Sequence, residues 1–166
     1  MSQLQTNSIV PVGGIPAGAS GGGIIQVVTG YNSGKQSTTS SSFVSLFTSP
    51  SITPRSSSNK ILIHVSTMVF RDGANGNAYF AIYRNGSTSL LESGQAVHFS
   101  HWNDYSGYTQ NNTSWKYIDS PATTSSINYQ LMGRSDGGSN TAGVGGRGID
   151  TSHNCGVLWT LMEVSG

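Results

Sequence analysis

The sequence predicts an all-β chain, a jelly roll or a related antiparallel β-sandwich, with an extended N-terminal arm. Three observations lead there. Ser, Thr, Asn and Gly fill 77 of 166 positions while charged residues make up 9 %, against about 25 % in an ordinary soluble domain. Residues that build helices and coiled coils are therefore scarce. Apolar and β-branched residues gather into short runs such as 61–70 and 157–164, separated by turn-forming clusters, whereas a disordered tract disperses them. About nine such runs recur at roughly 8–15-residue spacing without a fixed internal repeat, which favours a sandwich over a propeller or solenoid. The length suits one domain, because splitting the chain would leave two weak cores.

In chain order, residues 1–23 come first. Prolines and glycines, including Pro11, Pro16 and the run Gly21-Gly22-Gly23, exclude a helix or regular strand there. Extended at ~3.3 Å per residue, this arm would span on the order of 70 Å, enough to cross a neighbouring subunit. Its apolar residues Ile9, Val10, Pro11, Val12, Ile15 and Pro16 are the candidate anchor. A loose tail is the other reading of the same glycines.

Residues 24–166 form the knob. Strands are expected at 24–28, 43–47 and 61–70. The last places Ile61, Ile63, Val65, Thr67 and Val69 on one face and Leu62, His64, Ser66, Met68 and Phe70 on the other. Both faces are at least half apolar, which suits a central strand. Residues 78–84 follow, and Asn85-Gly86 turns the chain into 87–92, because a two-residue hairpin loop needs φ > 0 at both positions. Further strands are expected at 96–100, 114–118, 127–133 and 156–164. Two connections, 101–113 and 135–153, are longer than hairpins require and suit binding or inter-subunit contacts.

Charge and cysteine content bound the function. Eight Lys and Arg against seven Asp and Glu leave no basic footprint for phosphates, which argues against nucleic acid. No run approaches a membrane span, and residues 1–10 lack the basic and apolar regions of a signal peptide. A soluble protein made in a cytosol is expected, reaching any extracellular place within a larger assembly or by lysis. The single cysteine, Cys155, cannot form an intrachain disulfide and is expected to be a small buried hydrophobe.

Several motifs in the chain have plain structural readings. Residues 143–148 match GxGxxG, but 149–151 follow without helical periodicity and no strand–helix context supports a dinucleotide site, so a flexible loop is preferred. His98, His101 and Asp104 have a loose ligand spacing, yet an i,i+3 pair on a strand points to opposite faces. Asp72-Gly73-Ala74-Asn75-Gly76-Asn77 lacks the ligand offsets of a calcium loop and reads as a β-turn. Asn85 and Asn112 head acceptor sequons that chance explains in this composition. Cys155 and His153 lie two apart with nothing to orient the histidine, and the seven acidic residues scatter singly between turns. No enzyme activity, metal or cofactor is therefore expected. Trp102, Tyr105, Tyr108, Asn112 and Trp115 combine flat apolar faces with amide groups. A subunit interface is the favoured reading of that cluster, with core packing and glycan or receptor contact as alternatives.

The segments SITPRSSSNKILIHV at 51–65, YRNGS at 83–87, SPATTSSINY at 120–129 and LMEV at 161–164 together resemble a β-sandwich domain of small bacteriophage virion proteins. The resemblance spans about residues 24–166 and is strongest to marine and cyanobacterial phage domains. It implies a jelly-roll knob, often a homotrimer, fixed to the virion by an N-terminal segment, and supplies no catalytic residues. The expectation is a capsid decoration or cement protein, assembled in the host cytoplasm, whose partners are its own copies and the major capsid or another virion protein. A tail tip, adaptor or fibre-like protein touching a host receptor is the second reading. A free lectin binding host surface glycan is the third.

Overall fold

The computed structural model describes residues 23–73, 76–86, 88–89, 99–101, 108–136, 140–148 and 152–166. The arm anchor, Ile9 to Pro16, lies outside them, as do Trp102, Tyr105, His98 and Asp104. Every regular element among the described residues is a strand: β1 (Ile24–Asn32), β2 (Gln36–Thr38), β3 (Val44–Thr48), β4 (Lys60–Asp72), β5 (Ala78–Arg84), β6 (Thr88–Ser89), β7 (Phe99–His101), β8 (Thr109–Asp119), β9 (Tyr129–Ser135), β10 (Thr141–Val144) and β11 (Val157–Val164).

The strand pairing is nested and antiparallel. The first strand pairs the last (β1 with β11), β3 pairs β9, β4 pairs β8, and β5 pairs the short β6 and β7 along one edge. Joining β11 to β4 and β9 to β5 then gives two sheets, β1-β11-β4-β8 and β3-β9-β5-β6/β7. This is a long hairpin wrapped on itself, the jelly-roll form of the sandwich, as expected. Two strands are additional: β10 pairs β4 beyond the end of β11, and β2 pairs β10.

The core lies between the sheets. Ile61, Ile63, Val65 and Val69 of β4 are buried, in the alternation their sequence announces. Phe80, Ile82, Leu131 and Tyr129 meet them from the other sheet, while Trp159 and Leu161 of β11 complete the layer. Each such side chain contributes roughly 1.5–3 kcal/mol through burial. Trp159 is fully enclosed because its indole N–H also finds an acceptor, donating to Asn32 Oδ1 at 2.8 Å.

Local chemistry agrees with the turns. Asn85 and Gly86 have φ of 50° and 73°, the two positive values of the expected hairpin turn. The long connections differ from expectation. Residues 135–153 contain β10, and 101–113 is shortened by β7 and by the start of β8 at Thr109. β10 and the start of β8 are polar or Gly-rich segments whose pairing along the protruding end of β4 supplies the order that apolar alternation does not signal, while β7 pairs β5.

The GxGxxG-like residues are packed rather than free. A Cβ on Gly143 would lie 2.0 Å from the Phe70 ring, and one on Gly148 would lie 2.5 Å from Tyr108. Gly145 has φ of 87° and its backbone passes close to the Gly34 carbonyl. Cys155 is also corrected: it is exposed, not buried. It sits in the turn leading to β11, where the backbone N–H groups of Cys155 and Gly156 both donate to the Gly145 carbonyl and leave the thiol at the surface.

Candidate functional site

The sheet β8-β4-β11-β1 has one face in the core and one that no other sheet of the described residues covers. Directly opposed residues in antiparallel strands share a face, so the register defines its rows. Ile118, Leu62, Met162 and Val27 form an apolar band across all four strands. Lys116, His64, Thr160 and Thr29 make the next row, then Ser114, Ser66, Leu158 and Tyr31. Val27 is 51 % and Ile118 59 % exposed, and Leu158 and Tyr31 are similarly open. Single exposed apolar residues are ordinary, but a row aligned across four strands, flanked by Lys116 on one side and Lys60 on the other, is a candidate contact surface.

The face is stiff. His64 Nε2 lies 2.6 Å from Ser114 Oγ across the β4–β8 pair, fixing the polar row. At its lower end a groove of about 470 Å³ opens between Tyr31, Met68, Asn112, Cys155 and Leu158. The Tyr31 hydroxyl donates to the Cys155 carbonyl at 3.2 Å and closes one wall.

Two buried polar clusters brace the sheet from the core side. The Glu163 carboxylate is wholly enclosed and accepts from Asn59 Nδ2 at 2.6 Å, Gln26 Nε2 at 2.5 Å and the Arg55 backbone N–H at 2.7 Å. Burial pushes its pKa up, but these donors together with the Ser56 N–H outweigh burial and hold it below the ordinary carboxylate value. Asp119 receives Arg84 Nη1 at 2.8 Å on both oxygens and the Tyr129 hydroxyl at 2.9 Å. Burial, then the adjacent carboxylate, raises the Tyr129 phenol far above its usual value, so it remains a donor at every ordinary pH.

The aromatic cluster expected around the 101–113 connection is divided. Trp115 projects from β8 to the inner side, 6.1 Å from the Phe80 ring, because it opposes Val65 rather than an outward residue. Tyr108 packs on Phe70 at 6.2 Å and its hydroxyl accepts the Gly148 N–H at 2.8 Å. Asn112 is exposed on the outer face, opposite Met68. These three therefore do not form one surface. Among the described residues no group of three His, Cys, Asp or Glu side chains gathers as a metal ligand set. Sequence reasoning missed the outer band, since its members come from four separated strands. It also missed Glu163 and Asp119, whose isolated acidic letters carry no sign of burial.

No family model matches the chain, and no curated protein sequence matches it. Among solved structures it is similar to infectious bursal disease virus, Gx strain, at 15 % identity over 84 % of this chain and 36 % of that chain, TM-score 0.42. The Gt strain gives 13 % identity over 85 % and 38 %, TM-score 0.37. A crystal structure of the VP2 subviral particle of the same virus gives 14 % over 85 % and 37 %, TM-score 0.35. The chain thus spans little more than a third of those chains, and at these scores the fold assignment rests on the nested strand order alone.

Proposed function

We propose that this protein is a structural subunit of a virion, a capsid decoration or cement protein whose knob projects from the shell and whose residues 1–23 attach it. One observation carries the reading: a charge-poor jelly roll presents an aligned apolar row on a sheet face that no other sheet of the described residues covers, the property of a module that works by contact. The resemblance of residues 24–166 to phage virion domains, and the uncharged, apolar-dotted arm, support the same role. Low charge suits close packing with identical copies, since it avoids like-charge repulsion between them.

The test is attachment. Particles lacking the protein should bind added full-length chain in hundreds of copies, and a chain lacking residues 1–23 should stay folded and fail to bind. A few copies per particle would indicate a tail position instead, and full binding by the truncated chain would overturn the anchoring role of the arm.

A further inference from the structure

We infer that Arg71 binds a small monovalent anion, chloride in ordinary saline, inside the end of the sandwich where β4 passes into β5. The site is separate from the outer sheet face and independent of the virion reading.

Burial comes first. Arg71 has no exposed surface and is the largest wholly enclosed side chain after Trp159. It continues the inward row of β4, at even spacing from Ile61, Ile63, Val65 and Val69, so its stem leaves the strand on the core side. Nη2 donates to the Gly73 carbonyl, but Nε and Nη1, both buried, meet no acceptor among the described residues. Those two atoms carry three of the five guanidinium N–H groups, and arginine keeps its proton at every ordinary pH. A permanent charge deprived of both water and a counter-charge strongly disfavours the folded state, so a fold that encloses one needs an anion beside it.

The described carboxylates do not supply that anion. Asp119 holds Arg84 and the Tyr129 hydroxyl, and Glu163 holds Asn59, Gln26 and the Arg55 N–H. Asp136 accepts both the backbone N–H and the side-chain amide of Asn77, each at 2.8 Å. Asp72, next along β4, stands on the opposite side of the strand. The neighbours by register are small and uncharged. Arg71 opposes Ala142 of β10 and Thr109 of β8, and β5 opens at this end with Ala78, paired to the enclosed Ser135.

Charge and size select the occupant. One positive charge is balanced by one negative charge, and a halide accepts hydrogen bonds from any direction. A phosphate would bring further charge and further oxygens, each needing a donor in a place without solvent.

Denaturation of the full chain at constant ionic strength, with sodium gluconate replaced stepwise by sodium chloride, tests the site. Gluconate is too large for it. Binding at one site multiplies the folding constant by one plus the ratio of chloride concentration to Kd, a tenfold rise per tenfold chloride well above Kd. That rise is expected in the parent and absent in Arg71→Met, which keeps an unbranched stem without the charge. Crystals of the parent soaked in sodium bromide should show, by anomalous scattering, a bromide in contact with Arg71 Nε or Nη1, a result that does not need the variant to fold. A parent indifferent to chloride, the same chloride response in parent and variant, or bromide at surface positions only would each overturn the inference. If the parent is indifferent and Glu92→Gln, Asp104→Asn or Asp150→Asn destabilises it as much as Arg71→Met, the counter-charge belongs to the chain itself and the inference is likewise overturned.

Discussion

The two faces of the β8-β4-β11-β1 sheet are built from the same strands yet behave oppositely. On the inner face Ile61, Ile63, Val65, Trp159 and Leu161 have no exposed surface. On the outer face, one residue along in each strand, apolar side chains recur and half or more of Val27, Leu158 and Ile118 is open. A strand buried on one side needs apolar residues on one side only. The second apolar row is more than folding demands of this sheet, and it is the basis on which a contact role is proposed for the face.

The largest way to break that contrast is Trp159→Ala. It removes a fully enclosed indole and its bond to Asn32, and unfolding by denaturant should show a loss of about 3–5 kcal/mol. Gly143→Ala acts on the covered end of the outer face, where the added methyl meets the Phe70 ring; a loss of about 1–3 kcal/mol is expected in the same measurement.

Glu163→Gln comes next, at about 1–3 kcal/mol, because an amide brings hydrogens toward Asn59, Gln26 and the Arg55 N–H, which all donate. Its pH dependence has a defined sign. The folded carboxyl has the lower pKa, so the unfolded chain binds more protons; the stabilisation is full above the unfolded value, about 4.3, and declines as pH falls through the folded value. Denaturation between pH 6 and 3 should show that decline in the parent and a shallower one in the variant.

Gly86→Ala should cost about 1 kcal/mol, since φ of 73° strains an alanine and its methyl crowds Gln130. Leu158→Ala, immediately before Trp159, sharpens the comparison from the other side. As a free surface residue it should change the midpoint by about 0.5 kcal/mol or less.

Much of this architecture was legible in the letters. The β4 alternation, the Asn85-Gly86 turn and the terminal run into β11 are local patterns, and local patterns fix strand identity and facing. Gly143 to Gly148 was not legible, because glycines required by a neighbouring ring look the same as glycines in a loose loop until Phe70 and Tyr108 are placed beside them. Cys155 was misjudged for a related reason: its burial depends on a turn held by the distant Gly145 carbonyl. Trp115 could serve core or surface until its partner was known to be Val65.

By itself the sequence determined that the chain is all-β, that charge contributes little to its surface, and where most strands and the tightest hairpin lie. These follow from composition and from periodicities a few residues long. The tertiary structure alone decided the nested pairing, with Ile24 set against Val164, and hence which apolar residues are enclosed and which align in the open. An exposed row drawn from four strands is a property of register, and register across most of the chain is set by packing.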